Sequence, residues 1–162
     1  MIFSSKFICA SLKRNSYLRH VNAPILRKDF LLESDPKKAE LTITALGFYE
    51  LYVNGTKLTR GALSPNISNP DQTLYYDVYD LTDKLQKGGN AIALVVGNGM
   101  QNTDFKVWDL DKAKFRSSPK VAFALEIDGA LFMEADESFK CCDSPITFDD
   151  LRAGEYYDAR LE

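Results

Sequence analysis

The chain has 162 residues, of which 45% are hydrophobic and 27% charged. This composition is typical of one soluble globular domain that is large enough to bury a hydrophobic core. The net charge is −3, with charges of both signs scattered along the sequence, which excludes the basic footprint of a nucleic-acid-binding domain and a polybasic membrane anchor. No apolar run approaches the ~20 residues of a membrane span. We therefore expect neither nucleic acid nor a membrane as a partner.

The N-terminal residues carry no evident signal peptide. Their longest apolar stretch, residues 7–10, is shorter than the roughly 7–15 residues of a signal-peptide core, and the location, cytoplasmic or periplasmic, stays open. We expect residues 1–23 to be an N-terminal segment that could form an edge strand, and residues 24–162 to form one domain. The odd number of cysteines favours structural thiols in a reducing compartment over disulfides; they are Cys9, Cys141 and Cys142.

Hydrophobic residues recur along most of the chain with the period of β-strands. In residues 39–45, Leu41 and Ile43 alternate with threonines, which is the pattern of a strand with one buried face. Alternating or continuous apolar patterns predict further strands at residues 25–33, 49–53, 73–79, 91–96, 120–127, 130–135, 138–142 and 155–159.

Local turn chemistry divides these strands. The dipeptides at 54–55 (Asn-Gly) and 128–129 (Asp-Gly) tolerate the positive φ angles of type I′ hairpins. Gly47, between two strand patterns, predicts a bend or bulge. Residues 80–85 predict one helical turn that Asp80 caps, with two leucines on one face. Loops are expected at residues 62–72, 98–118 and 146–154. About eight short strands at this spacing predict an all-β fold, a jelly-roll-type β-sandwich with one or two short helical turns.

Three segments resemble the sugar-binding-like sandwich domains attached to many bacterial glycoside hydrolases. They are ALGFYELYVNG at 45–55, YYDVYDLTDKL at 75–85 and GGNAIALVVGNG at 88–99. A fourth segment, GEYYDAR at 154–160, resembles the closing motif of the N-terminal domain of bacterial α-L-rhamnosidases. The order and spacing of these motifs extend the resemblance over roughly residues 24–162.

The resemblance implies a galactose-binding-like β-sandwich that is a non-catalytic accessory domain of an α-L-rhamnosidase, an enzyme that hydrolyses terminal α-L-rhamnose from glycosides. The catalytic (α/α)6 barrel would lie beyond Glu162 and would be the partner of this domain within the same polypeptide. Rhamnose-containing glycans are a second implied partner, and the chain alone would not be an enzyme. Two alternatives stay open: an autonomous carbohydrate-binding module, and a structural module for contacts between domains.

The residues themselves offer no catalytic constellation. Glycoside hydrolysis needs two carboxyl groups about 5–5.5 Å or 6.5–9.5 Å apart, but close acidic pairs such as Asp149 with Asp150 lie in predicted turns, where a solvated surface explains them. His20 has no accompanying nucleophile motif and is expected at the surface. Residues 97–99 (Gly-Asn-Gly) lack the Lys-Ser/Thr of a phosphate loop. We expect no catalytic residue, no cofactor and no metal site. Calcium is the open exception, through Asp71, Asp104, Asp109 and Asp111.

A sugar site is predicted in the loop that follows the strand at 91–96. Such sites stack an aromatic ring on the sugar and bind its hydroxyl groups through amides and carboxylates. The loop supplies both residue types, in Trp108, Phe105, Asn98, Gln101, Asn102 and Asp104. Many relatives carry an aromatic residue after Gly-Asn-Gly, where this chain has Met100. The favoured alternative is that Trp108 and Phe105 close one end of the sandwich or pack on the next domain.

The closing motif predicts a contact between domains. Tyr156, Tyr157 and Arg160 lie within five residues of one another, and aromatic residues and arginine are both enriched at interfaces. We expect these three side chains to pack against the next domain.

Overall fold

The computed structural model describes residues 3–4, 6–15, 18–61, 63–103, 114 and 116–162. They form eleven β-strands and one short 3-10 helix at Ala159–Leu161. The strands are β1 Pro24–Leu32, β2 Ala39–Leu46, β3 Phe48–Val53, β4 Thr56–Lys57, β5 Asp77–Asp80, β6 Gly88–Gly97, β7 Lys120–Ile127, β8 Ala130–Glu134, β9 Lys140–Asp143, β10 Ile146–Asp150 and β11 Gly154–Tyr157.

Two antiparallel sheets face each other. One has five strands in the order β4-β3-β6-β1-β9, the other has four in the order β5-β2-β7-β8, and β10 and β11 form a separate hairpin. Inward-facing residues of both sheets form one core cluster, in which Leu51 and Leu94 from the first sheet and Leu41 and Leu125 from the second are fully buried. The predicted all-β sandwich is confirmed.

The predicted turns are present with the expected geometry. Asn54 and Asp128 have φ angles of 50°, and the glycines after them have φ angles of 81° and 85°. Gly47 has φ +114°, and a Cβ there would collide with the carbonyl oxygen of Gly97. The Oδ1 of Asp80 accepts the N–H of Thr82 at 2.9 Å, which caps the expected turn. The leucines of this turn are both buried in the core, so local chemistry determined all of these connections.

Two predicted elements differ from the structure. Residues 146–150 form strand β10 where a loop was expected, because β11 provides its pairing partner. Of the strand expected at residues 73–79, only residues 77–79 pair with β2, and the strand then continues to Asp80. The segment before it keeps its tyrosines half exposed to solvent.

The N-terminal segment lies against the four-stranded sheet. Ile8 and Val121 exchange both backbone hydrogen bonds, at 2.9 and 3.0 Å, and form one isolated bridge rather than a continuous strand. Lys6 Nζ pairs with Glu134 Oε1 of β8 at 2.6 Å. The boundary between residues 23 and 24 stays a prediction. Within the described part of the chain, no helix has the length and apolar character that crossing a membrane requires.

Candidate functional site

The turn that leaves β6 is built on a network of buried amides around one carboxylate. Asp149 of β10 accepts the backbone N–H of Asn98 at 2.7 Å and its side-chain N–H at 2.6 Å. Asn102 donates its amide to Asn98 Oδ1 at 2.7 Å. The side chain of Asn15 donates to the Asp149 carbonyl oxygen, and its backbone N–H donates to Asn102 Oδ1. The network thus joins the N-terminal segment, the β6 turn and the hairpin.

Burial raises the pKa of Asp149 above its usual range, and the two hydrogen bonds from Asn98 oppose that shift. Burial disfavours the charged form of a carboxyl group, whereas donors aimed at its oxygens favour it. The burial effect is the larger one here. Asp149 is therefore a structural carboxylate in a low-dielectric setting, with both side-chain oxygens already bound to protein donors.

Of the six predicted sugar-binding residues, the three that the structure describes are buried. Asn98, Gln101 and Asn102 are only 2–3% exposed. Gln101 donates its side-chain amide to Ser117 Oγ at 2.7 Å, and its backbone N–H closes a turn on the Asn98 carbonyl. The amides of these residues make hydrogen bonds within the protein, and direct contact of Asn98, Gln101 or Asn102 with a sugar stays a prediction. The other three candidates lie outside the described residues; they are Asp104, Phe105 and Trp108.

A pocket of about 370 Å³ lies beside this turn, at the loop end of the sandwich. Its apolar lining includes Phe48, Ile67 and Met100, and Asn66 and Asp71 provide polar atoms. Concave sites with apolar walls and a few polar groups are the usual form of small-molecule sites. The sequence predicted only an irregular loop at residues 62–72. The prolines and asparagines of that loop indicated an irregular conformation, but they did not indicate that the loop and Met100 line the same pocket.

An aromatic cluster covers one side of the β10–β11 hairpin. The ring of Phe148 lies 4.6 Å from that of His20 and 4.9 Å from that of Tyr156. Phe148 is buried, whereas Tyr156 and Tyr157 are about half exposed, at 52% and 54%. His20 is exposed, as expected. The hairpin thus presents two tyrosines to its surroundings on a base of stacked rings.

The third residue of the closing motif is used differently. Arg160 binds the carboxylate of Asp158 through two nitrogen atoms, at 2.8 and 2.6 Å, and this hydrogen bonding lowers the pKa of Asp158. The hydroxyl of Tyr157 donates to Glu162 at 2.6 Å. The motif therefore orders its own strand end and leaves the faces of the tyrosine rings available.

The acidic pairs have structural partners in the fold. Asp149 and Asp150 are neighbours on β10 but bind different groups: Asp150 accepts Thr103 Oγ1 at 2.7 Å, whereas Asp149 accepts Asn98. Asp136 is bound by Ser138 and by Lys28. Across the described ranges, no group of three or more His, Cys, Asp or Glu side chains is arranged to hold a metal ion. Of the calcium candidates, only Asp71 is described, and it is exposed.

The three cysteines are not joined by disulfides. Cys9 is half-buried, but Cys141 and Cys142 on β9 are exposed, so the last two do not serve as core residues.

Comparison with known proteins places these features in a family. The model of the α-L-rhamnosidase N-terminal domain matches residues 34–162. An α-L-rhamnosidase from Formosa agariphila is 34% identical over 147 residues, which are 86% of this chain and 15% of that protein. One from Streptomyces avermitilis is 30% identical over 142 residues, which are 85% of this chain and 14% of that protein. The chain thus corresponds to a small part of the length of these relatives.

Solved structures agree with the sequence matches. The α-L-rhamnosidase from Dictyoglumus thermophilum superposes with a TM-score of 0.76 at 32% identity, over 88% of this chain and 16% of that one. The Streptomyces avermitilis enzyme complexed with L-rhamnose gives 0.78 at 30% identity, over 88% of this chain and 14% of that one. A lectin from Pleurotus ostreatus, at 19% identity and a TM-score of 0.50, shares the sandwich fold alone, over 85% of this chain and 35% of that one. The chain belongs to the α-L-rhamnosidase N-terminal domain family.

Proposed function

We propose that this chain is a non-catalytic accessory domain of a larger α-L-rhamnosidase and supports the catalytic domain of the same polypeptide. The observation that carries the proposal is family membership over a segment that is only 14–16% of its relatives' length. The carboxylates favour the same assignment, because Asp149, Asp150 and Asp136 are held by protein donors. A glycosidase needs two carboxyl groups that face a sugar.

The hairpin supplies the contact surface in this proposal. Tyr156 and Tyr157 keep about half of their area exposed, next to the buried ring of Phe148. Aromatic side chains contribute much of the binding energy at interfaces because they bury large apolar areas with little loss of conformational entropy. Arg160 holds Asp158 and so fixes the direction in which the chain leaves β11.

The catalytic part of the proposal is tested with a chromogenic α-L-rhamnoside. The 162-residue chain should release no chromophore above a blank, whereas the polypeptide that also carries the sequence following Glu162 should release it. Turnover by the 162-residue chain that is lost when Asp149 or Asp150 is replaced would overturn the accessory role.

The supporting role is tested by Tyr156→Ser and Tyr157→Ser together in the longer polypeptide. Burial of one aromatic side chain is worth about 1.5–3 kcal/mol, and we expect the thermal unfolding midpoint to fall. The matched control is Tyr75→Ser with Tyr76→Ser, since these two tyrosines are similarly exposed, at 51% and 45%, but lie outside the hairpin. Equal effects of the double variant and the control would contradict docking through the hairpin.

Carbohydrate binding is the second candidate, and the pocket beside Met100 is the observation that favours it. Its apolar residues match the less polar face of a sugar ring, and Asn66 and Asp71 offer groups for hydroxyl recognition. One relative was solved in complex with L-rhamnose. An NMR titration with L-rhamnose should shift the methyl signals of Ile67 and Met100 saturably if this pocket binds sugar. If these methyl signals do not change even at the highest soluble concentration of L-rhamnose, the sugar-binding candidate is rejected and the supporting role remains.

A further inference from the structure

Charges of both signs are scattered along most of this chain, but its first 28 residues are an exception. Residues 1–28 contain six lysines and arginines and no aspartate or glutamate, whereas residues 29–162 contain 14 basic and 23 acidic residues. Three of these six residues pair with carboxylates, Lys6 with Glu134, Arg27 with Asp29 and Lys28 with Asp136, and the other three, Lys13, Arg14 and Arg19, lie close together in the N-terminal segment. Such a local excess of one sign attracts ligands of the opposite sign and concentrates them at the site.

Part of this positive segment lines a pocket of about 450 Å³. Lys13, Arg19 and His20 line the pocket from the N-terminal side, and Cys142 and Asp143 line it from β9. The pocket is distinct from the one beside Met100, with which it shares no lining residue. Two cationic side chains, Lys13 and Arg19, against one carboxylate, Asp143, give the pocket a positive balance.

The part of the basic wall that contains His20 is held in place by the fold. The ring of His20 stacks on Phe148 at 4.6 Å, and the next two residues are anchored to the body of the domain. Val21 donates its N–H to Asn15 Oδ1 at 3.1 Å, and Asn22 donates its side-chain amide to the Ser144 carbonyl oxygen at 3.3 Å. A site whose groups are already in position loses little entropy when a ligand binds.

One buried group in the lining has no protein partner. Ser118 is 4% exposed and lines the pocket, and within the described ranges its hydroxyl makes no hydrogen bond. Buried hydroxyl groups are normally paired, and an unpaired one costs about 1–3 kcal/mol. The oxygen itself has almost no accessible surface, so recognition of a polar ligand in this pocket depends on Lys13, Arg19 and Asp143 rather than on Ser118.

We propose that this pocket binds an acidic sugar, with its carboxylate against Lys13 and Arg19. The proposal rests on the proposed function, because membership in an α-L-rhamnosidase domain family makes a sugar the expected class of ligand. The volume of about 450 Å³ is in the range of small-molecule sites, about 300–1,000 Å³, and exceeds what a bare inorganic anion fills. Asp143 repels a bare anion but accepts hydrogen bonds from sugar hydroxyl groups. A ligand that carries both a carboxylate and hydroxyl groups can pair with Lys13 and Arg19 through the first and with Asp143 through the second.

The test compares two monosaccharides that differ only at C6: D-galacturonate, which carries a carboxylate, and D-galactose, which carries a neutral CH2OH. The ring signals of His20 are the probe, because this is the only histidine in the chain. At constant pH and low salt, D-galacturonate should shift these signals saturably and D-galactose should not. Raising the salt concentration should weaken the effect, because salt screens exposed charges.

The matched pair of variants is Lys13→Gln and Lys6→Gln. Both remove one positive charge from the same segment, but Lys6 lies outside the pocket and pairs with Glu134. Loss of one charge-assisted hydrogen bond should weaken D-galacturonate binding about tenfold in Lys13→Gln, with less than about a twofold change in Lys6→Gln. Dispersed NMR spectra of both variants verify that they are folded.

Three outcomes would overturn the proposal: equal responses to D-galacturonate and D-galactose, no response to either, and equal weakening by the two lysine variants. Sodium sulfate serves as the bare-anion arm, and shifts with sulfate but none with D-galacturonate would also reject the sugar ligand. L-rhamnose is titrated in parallel and read at Ile67 and Met100, in the other pocket. Failure of that titration concerns the second candidate function, whereas failure of the D-galacturonate titration concerns this site alone.

Discussion

Asp149→Ala is the most direct perturbation of the network that joins three parts of the fold. The substitution leaves two donors of Asn98 without the acceptors they have now, at 2.7 and 2.6 Å. Hydrogen bonds to charged groups contribute about 1.5–3 kcal/mol each. Removing the buried carboxylate also relieves its desolvation, which offsets part of this loss. We expect a net loss of about 2–4 kcal/mol in the free energy of unfolding.

Urea unfolding followed by tryptophan fluorescence and circular dichroism measures this loss. For a urea m-value of about 2 kcal/mol/M, the midpoint should fall by about 1–2 M with an unchanged slope. Asp83→Ala is the matched control, since Asp83 is exposed and should change the free energy by less than about 0.5 kcal/mol. Equal midpoints for the two variants would refute the network as a source of stability.

The raised pKa of Asp149 predicts that the free energy of unfolding depends on pH, with a definite sign. Burial raises the folded-state pKa of Asp149 above its unfolded value near 3.8, so its contribution to stability is fully present below pH 3.8 and is lost as the pH rises through the folded pKa. The Asp149→Asn variant has no titrating group at this position. The free-energy difference between the native chain and this variant should therefore increase in favour of the native chain as the pH falls from 7 towards 4. A constant difference would show that Asp149 has an ordinary pKa.

Two further predictions concern single residues. Gly47→Ala should cost about 3 kcal/mol or more in the free energy of unfolding, or prevent folding, because its Cβ collides with the backbone. Gly129→Ala, with open space around it, should cost about 1 kcal/mol. Equal costs of the two substitutions, measured by urea unfolding, would reject the close packing at Gly47. With a chromogenic disulfide reagent, two thiols should react rapidly and Cys9 more slowly, because only Cys141 and Cys142 are exposed; three equal rates would contradict the half-burial of Cys9.

The elements that the sequence predicted well are those that depend on neighbouring residues. The dipeptide at 54–55 (Asn-Gly) and the one at 128–129 (Asp-Gly) have side chains and φ preferences that determine the turn on their own. The alternation of Leu41 and Ile43 determines which face of β2 is buried, whatever strand lies beside it. The family resemblance added the type of domain to expect, which hydrophobic periodicity alone does not indicate.

The errors arose where the deciding partner is distant in sequence. Strand β10 carries adjacent aspartates, which favour a turn locally, but Asp149 binds Asn98, 51 residues away, and Asp150 binds Thr103, 47 residues away. For the same reason the structural role of Asn98 was missed, while its assignment to a sugar site stays a prediction. Asparagine is mostly an exposed residue, and only the fold reveals that a buried carboxylate accepts both of its N–H donors.

The two pockets proposed to bind sugars share a structural support. Asn98 lines the basic pocket, and Gln101, one turn further along, lines the pocket beside Met100. Both side chains are buried and hydrogen-bonded, so they act as walls whose position the Asp149 network determines. Loosening that network should therefore weaken binding in both pockets at once, although Asp149 lines neither. A loss confined to one pocket in Asp149→Asn would show that the two sites are positioned independently.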